Sequence, residues 1–227
     1  TPTATPTPTP TPAEPALNFN PLTGIADADH ANCRPVAVTL RTIYGAQPQW
    51  GVASADVLLQ GPVVGTTPAM LALYGKVDEI GKVGPVGEAG DLLLQFALPL
   101  NAMPVHIGKN VYASNLLNTL GYQDVDGLHV GKTAFFFDTD RQLAGYREEN
   151  CFYTTADGVR AGLEFYGASA NGETAPLFRF SAEPAPMPQT QNGTTLSIAF
   201  SADGTEQLVY DAETALYTKL NTDGTPL

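Results

Sequence analysis

Apolar and polar positions alternate with period two and a β-branched bias over Arg34–Leu40 (RPVAVTL), which predicts a strand. Ala55–Gln60 (ADVLLQ) and Ala69–Tyr74 (AMLALY) are short apolar runs bounded by Gly and Pro, the pattern of buried strands. Over Glu88–Leu98 the period changes. Leu92, Leu93, Phe96 and Ala97 share one side, with the acids Glu88 and Asp91 placed to complement a helix dipole, and Pro99 marks the stop. Pro104–Ile107 reads as a further strand, Tyr112–Leu120 as a helix closed by Gly121, Ala134–Phe137 (AFFF) as a strand, and Asp157–Tyr166 as a helix begun by an acidic cap and ended by Gly167. Strands alternating with helices predict an α/β domain, a mixed sheet with flanking helices.

The pattern changes at both ends. Thr1–Pro15 reads TPTATPTPTPTPAEP, in which each Pro fixes its own φ and biases its predecessor to extended backbone. A stiff polyproline-like stalk is expected, about 45 Å long at roughly 3.1 Å per residue. It has no Lys or Arg to orient it in an SH3-like groove, which favours a spacer over a docking ligand. Residues 181–193 (SAEPAPMPQTQNG) form a Pro-rich linker. Beyond it, Thr194–Phe200, Glu206–Tyr210 and Ala215–Lys219, with Asp203-Gly204 between the first two, predict a small antiparallel β-meander. Three strands make a thin core, so this region either docks on the first domain or is cut short. The expected division is a disordered stalk at 1–17, an α/β domain at 18–180, the linker at 181–193 and a β-rich region at 194–227.

Composition narrows the functional classes. With 43% apolar and only 15% charged residues, 22 Gly and 19 Pro, the 227-residue chain fits a loop-rich secreted domain with a real core. A net charge of −12, with 11 Lys and Arg scattered along the chain, argues against nucleic acid as a partner and against adsorption to anionic lipid. No run of 18 apolar residues spans a bilayer, and the chain does not open on a signal peptide, so Thr1 reads as a mature or trimmed end.

Chemistry-bearing residues are sparse. Cys33 and Cys151 lack metal or redox spacing, leaving one long-range disulfide or two thiols, at least partly buried. The bridge would close a loop of about 119 residues and stabilise by roughly 5 kcal/mol at most. Gly127–Thr133 (GLHVGKT) is one residue short of a phosphate loop and leads into a strand instead of a helix. No Gly-x-Ser-x-Gly elbow occurs, and His30, His106 and His129 are too scattered to predict a metal or cofactor site. Asp27, Asp29 and His30 could catch a cation, but Asp-x-Asp in a loop reads first as solvated surface. His106 ends a short strand before Ile107-Gly108-Lys109-Asn110, where α/β folds place ligands, although a satisfied structural histidine explains it as well. Glu148, Glu149 and Asn150 form a polar group before Cys151. The candidate ligand-binding residues are therefore His106, Lys109, Asn110, Glu149 and Asn150, with Cys33 and Cys151 as the candidate disulfide.

Several segments, in order, resemble the DUF3048 (YerB-like) lipoprotein family. They are Asn20-Pro-Leu-Thr-Gly24, Arg34-Pro-Val-Ala-Val38, Ala46-Gln-Pro-Gln49, Ser54-Ala-Asp56, Gly84-Pro85-Val86, Val105-His106, Asp124-Val-Asp126-Gly127-Leu128 and Asn150 with Tyr153-Thr154. Tyr210-Asp211, Tyr217 and Gly224 resemble the start of its C-terminal β domain. The resemblance implies an α/β domain followed by a β-rich one in a secreted protein anchored by lipid on a cysteine upstream of Thr1. It carries no activity. The family pattern has an acid where Gln60 stands, an arginine near Ala69, Gly-Pro-Val-Arg-Ser-Ala-Arg where this chain reads Gly84-Pro-Val-Gly-Glu-Ala-Gly90, and Pro-His-Asn at 148–150. The resemblance thus implies a divergent member with an altered or lost site.

The expected function is a non-catalytic envelope binding or scaffolding domain at the bacterial cell surface. Its partner is a cell-wall polymer or another envelope protein, and it meets the membrane only through an upstream anchor. The alternative is an enzyme on envelope carbohydrate or peptide using His106 and Glu149.

Overall fold

The computed structural model describes residues 19–227 except 31, 65–66, 177, 181–191, 202–203, 221–223 and 225–227. The predicted stalk and nearly all of the predicted linker lie outside the described residues.

In chain order the strands are β1 (Val36–Arg41), β2 (Val57–Val64), β3 (Thr67–Tyr74), β4 (Met103–His106), β5 (Val125–Asp126), β6 (Phe136–Phe137), β7 (Phe152–Tyr153), β8 (Thr195–Ser201), β9 (Gly204–Asp211) and β10 (Leu216–Leu220). The helices are α1 (Asp91–Ala97), α2 (Val111–Leu120), α3 (Gly127–Val130), α4 (Thr139–Leu143) and α5 (Ala156–Tyr166). The main sheet runs β2-β3-β1-β4-β5. β3 is antiparallel to both β1 and β2, whereas β4 is parallel to β1 and β5 to β4. The fold is the mixed α/β arrangement that the sequence predicts, with a separate antiparallel sheet β10-β9-β8 at the end.

Period two in β1 and β3 fills two faces. Val36, Val38 and Leu40 join Met70, Ala72 and Tyr74 in one core, which Val159 and Leu163 of α5 close. Ala37, Leu71 and Leu73 point the other way, onto Leu93 and Ala97 of α1. Burial on both faces explains why these strands read as nearly continuous apolar runs. α5 approaches closely because Gly158 and Gly162 lack side chains. A Cβ at Gly158 would lie 2.4 Å from the Ala134 carbonyl oxygen.

The terminal sheet meets the edge strand β2 through side chains. Gln60 on β2 donates to Glu206 on β9 at 2.6 Å and accepts from Lys219 on β10 at 3.0 Å, and Lys219 pairs with Glu206 at 2.8 Å.

Some boundaries differ from expectation. α1 begins at Asp91, because Ala89 is held extended in a bridge to Lys109 and Gly90 takes the cap. Of AFFF only Phe136 and Phe137 pair, since the Ala134 and Phe135 amides donate to the Gly131 carbonyl in a turn. Thr155, not Asp157, caps α5, accepting from the Gly158 amide.

The disulfide is corrected: Cys33 and Cys151 are both free. Cys33 precedes β1 by three residues, whereas Asn150, beside Cys151, bonds Arg41 at the far end of β1. At about 3.3 Å per strand residue the two lie on the order of 20 Å apart, far beyond the ~7 Å Cα limit for a bridge.

Candidate functional site

The carboxyl ends of the parallel strands carry three polar residues, Arg41 on β1, His106 on β4 and Asp126 on β5. This is the edge at which open α/β sheets bind ligands. His106 is completely buried. Its Nε2 lies 3.0 Å from Asp124 Oδ2 and its Nδ1 3.9 Å from Asp126 Oδ1, but neither ring nitrogen makes a well-directed hydrogen bond. Lys109 Nζ bridges the two carboxylates at 2.6 and 3.0 Å. Asp126 Oδ1 also accepts from the Gly108 and Leu128 amides, the latter capping α3.

Burial works to raise the Asp124 pKa, but contacts with His106 and Lys109 outweigh it and hold the carboxyl down at about 2. Asp126 is likewise lowered: burial opposes ionisation, and the Leu128 and Gly108 amides overcome it. Burial disfavours the Lys109 ammonium, yet its two aspartates push its pKa up. The cluster supplies its own cation and staples the ends of β4 and β5.

The other candidates fall elsewhere. Asn110 caps α2, accepting from the Ala113 amide at 2.7 Å and donating to the Val63 carbonyl at 3.0 Å. Glu149 pairs with Arg147 at 2.8 Å near the surface and shares no partner with His106. Asn150 is buried; its Oδ1 accepts from Arg41 Nε at 3.0 Å and its Nδ2 donates to the Gly45 carbonyl at 2.9 Å. The structure therefore joins His106 to Lys109, places Asn110 beside them as a cap, and gives Asn150 to Arg41.

Arg41 lines a cleft of about 280 Å³ together with Leu40, Ile43, Val63, Ala69 and Glu88. Among the described residues no carboxylate comes within ion-pair distance of its guanidinium. Gly87 makes room for it, since a Cβ there would come 2.9 Å from Arg41 Cγ. Three positions where the chain departs from the expected family pattern, Ala69, Gly87 and Glu88, line this one cleft.

Two residue sets bring possible metal-ligand atoms within 4.8 Å of one another, His106–Asp124–Asp126 and His30–Asp56–Glu79. Lys109 occupies the first. In the second, His30 is buried, contrary to the solvated loop expected for it, while Asp27 is partly exposed.

A family model described as "Protein of unknown function (DUF3048) N-terminal domain" matches residues 22–169, well over half of the chain. The chain belongs to the DUF3048 family. Among curated proteins it is 24% identical over 209 residues to "Putative lipoprotein YerB" of Bacillus subtilis strain 168, covering 90% of this chain and 60% of that protein. The chain thus spans three fifths of that relative. The crystal structure of YerB from Bacillus subtilis superposes with a TM-score of 0.75 at 22% identity, over 92% of this chain and 68% of that one, a likeness of fold. Among the described residues of this DUF3048 chain, no helix is long and apolar enough to cross a membrane.

Sequence reasoning passed over Arg41, Asp124, Asp56 and Glu79 as site residues. Asp124 and Asp126 flank Val125 of the two-residue β5, too short a strand to give the pair a pattern in the sequence. Arg41 gives no signal either, since its setting depends on Asn150, 109 residues away.

Proposed function

We propose that this DUF3048 chain is an extracytoplasmic envelope domain that binds its ligand without transforming it. The ligand is a short peptide-like portion of a wall polymer, held in the Arg41 cleft. The observation that carries this reading is the partly buried Arg41 guanidinium, aimed by Asn150 and unpaired with any described carboxylate, at the carboxyl end of a parallel strand. A guanidinium fork grips a carboxylate bidentately. Glu88 on the same rim offers an amine its counter-charge, and Ile43 and Val63 offer apolar contact for the ligand body. The net charge of −12 disfavours a polyanion and leaves a zwitterionic peptide as the better match.

Envelope placement draws support from the lipoprotein name of the Bacillus subtilis relative and from the Thr/Pro run at 1–15, a spacer suited to an upstream lipid anchor. Scaffolding of another envelope protein would use the same cleft for a chain terminus. No observation favours a carbohydrate- or peptide-processing reaction, because His106 opens on no surface and Glu149 is engaged by Arg147.

Titration of isotopically labelled protein with soluble muropeptides tests the reading. Amide shifts centred on 40–43 and 87–88, reduced at least about tenfold in affinity by Arg41→Gln, are expected. Binding unaltered by Arg41→Gln, or no shifts with any muropeptide or envelope-protein C-terminal peptide, overturns it.

A further inference from the structure

A 3-10 turn, Ala28–His30, lays the His30 imidazole against the segments that open β2 and follow β3. Its side chain is 3% exposed, and only glycine at position 75 allows the approach, because a Cβ there would lie 2.6 Å from His30 Cδ2. Asp56 accepts the Gly75 amide through Oδ2 at 2.7 Å. The Leu22 amide donates to Asn20 Oδ1 at 2.9 Å, which fixes the orientation of that carboxamide. Asn20 Nδ2 then donates to Asp56 Oδ1 at 2.9 Å and faces His30 Nε2 at 3.3 Å.

His30 Nε2 also lies 2.8 Å from Glu79 Oε1. A donor and an anionic acceptor thus converge on one ring nitrogen, and a single tautomer cannot serve both. Nδ1 is 2.9 Å from Asp27 Oδ2 but makes no well-directed hydrogen bond, and Glu79 Oε2 is buried with no partner. Three carboxylates therefore surround one buried imidazole. Among the described residues no Lys or Arg comes within ion-pair distance of them, and Lys76 acts only at longer range. Where Lys109 neutralises Asp124 and Asp126, nothing equivalent neutralises Asp56 and Glu79. A partly buried pair of like charges without a counter-ion is disfavoured, and a cation removes both the repulsion and the orphaned acceptor.

We propose that His30, Asp56 and Glu79 bind a divalent first-row transition ion, with Asp27 and Asn20 supporting the imidazole and the Asp56 carboxylate. One imidazole nitrogen with carboxylate oxygens suits Zn2+ or Mn2+, whereas Mg2+ and Ca2+ prefer all-oxygen shells. Bond lengths of about 2.0–2.2 Å place neighbouring ligand atoms roughly 2.8–3.1 Å apart at octahedral angles and roughly 3.3–3.6 Å at tetrahedral ones, so Nε2 and Oε1, at 2.8 Å, need separate by less than an ångström. The ion ties the Asn20–His30 segment to the base of the β2–β3 pair and is distinct from the Arg41 cleft.

Chelator-stripped protein is titrated calorimetrically with ZnCl2 and MnCl2 at pH 7.5, with MgCl2 and CaCl2 as controls, and its melting temperature is followed across the titration. One transition ion per chain is expected, with a melting temperature that rises with ion concentration and little response to the controls. Glu79→Gln and His30→Gln are expected to weaken binding tenfold or more, while His106→Gln and Cys33→Ser leave it intact. Should His30→Gln fail to fold, Glu79→Gln, at a partly exposed side chain, carries the comparison. X-ray absorption on the Zn2+-loaded wild type gives an independent reading, one imidazole nitrogen among oxygens. No melting shift with either transition ion, an undiminished shift in Glu79→Gln, or an equal response to Mg2+ and Ca2+ overturns the site.

Discussion

Gln60 Nε2 and Glu206 Oε1, 146 residues apart, meet at 2.6 Å and join the edge strand β2 to the terminal sheet. An amide suits this place better than an acid, because its oxygen accepts from Lys219 while its nitrogen donates to Glu206. Replacing Gln60 with Ala leaves Glu206 and Lys219 paired only with each other, at a cost of about 1–2 kcal/mol. The expected result is faster proteolytic release of a fragment carrying β8–β10 from Gln60→Ala than from wild type, measured by mass spectrometry. Equal release rates would show that the amide does not hold the sheet.

Gly158 sets two effects against each other. Ala at a helix position normally gains about 1 kcal/mol over Gly. Here the new Cβ would lie 2.4 Å from the Ala134 carbonyl oxygen, backbone that cannot rotate away, so overpacking of about 1–3 kcal/mol dominates. Gly158→Ala should therefore destabilise the chain in denaturant unfolding. Gly121→Ala offers a contrast: its Cβ would meet nothing within 4 Å, and the cost there arises from φ +61 alone.

Asp124 imposes a pH dependence of defined sign. Its folded pKa of about 2 lies below the ordinary carboxylate value, so its contribution is fully present above about pH 4 and is lost as pH falls toward 2. After allowance for solvent screening, about 1–2 kcal/mol should disappear across that window. Asp124→Asn should be less stable than wild type at pH 7, and the gap should close by pH 2. Parallel stability curves for the two proteins would remove Asp124 as the cause.

The thiols differ in reach. Cys33 is partly exposed and Cys151 buried, so brief alkylation of native protein without reductant should label Cys33 alone, and denaturation should release the second site. Burial raises both thiol pKa values and slows both reactions. A mass showing no alkylation after denaturation would restore the bridge.

Much of the sheet was legible in the sequence. RPVAVTL and AMLALY announced β1 and β3 because strands buried on both faces need unbroken apolar runs, and the Gly121 and Gly167 stops held because each takes a left-handed φ. AFFF marked β6 with two residues too many, whereas the two-residue strands β5 and β7 were not legible, since so short a pairing leaves no periodicity to read. The candidate site was legible in part. His106 and Lys109 do share a cluster at a strand end, but the aspartates that define it carry no sequence cue to their burial. Glu149 and Asn150 are neighbours in sequence, yet one faces solvent beside Arg147 and the other turns inward to Arg41, a divergence set by the turn at 148–150.

The separation of Cys33 and Cys151 along β1 bears on how the chain matures. With no bridge between these two thiols, pairing of the described strands asks for no thiol oxidation, and the contacts that hold β1 to β3 and β4 are the same at any ambient redox potential.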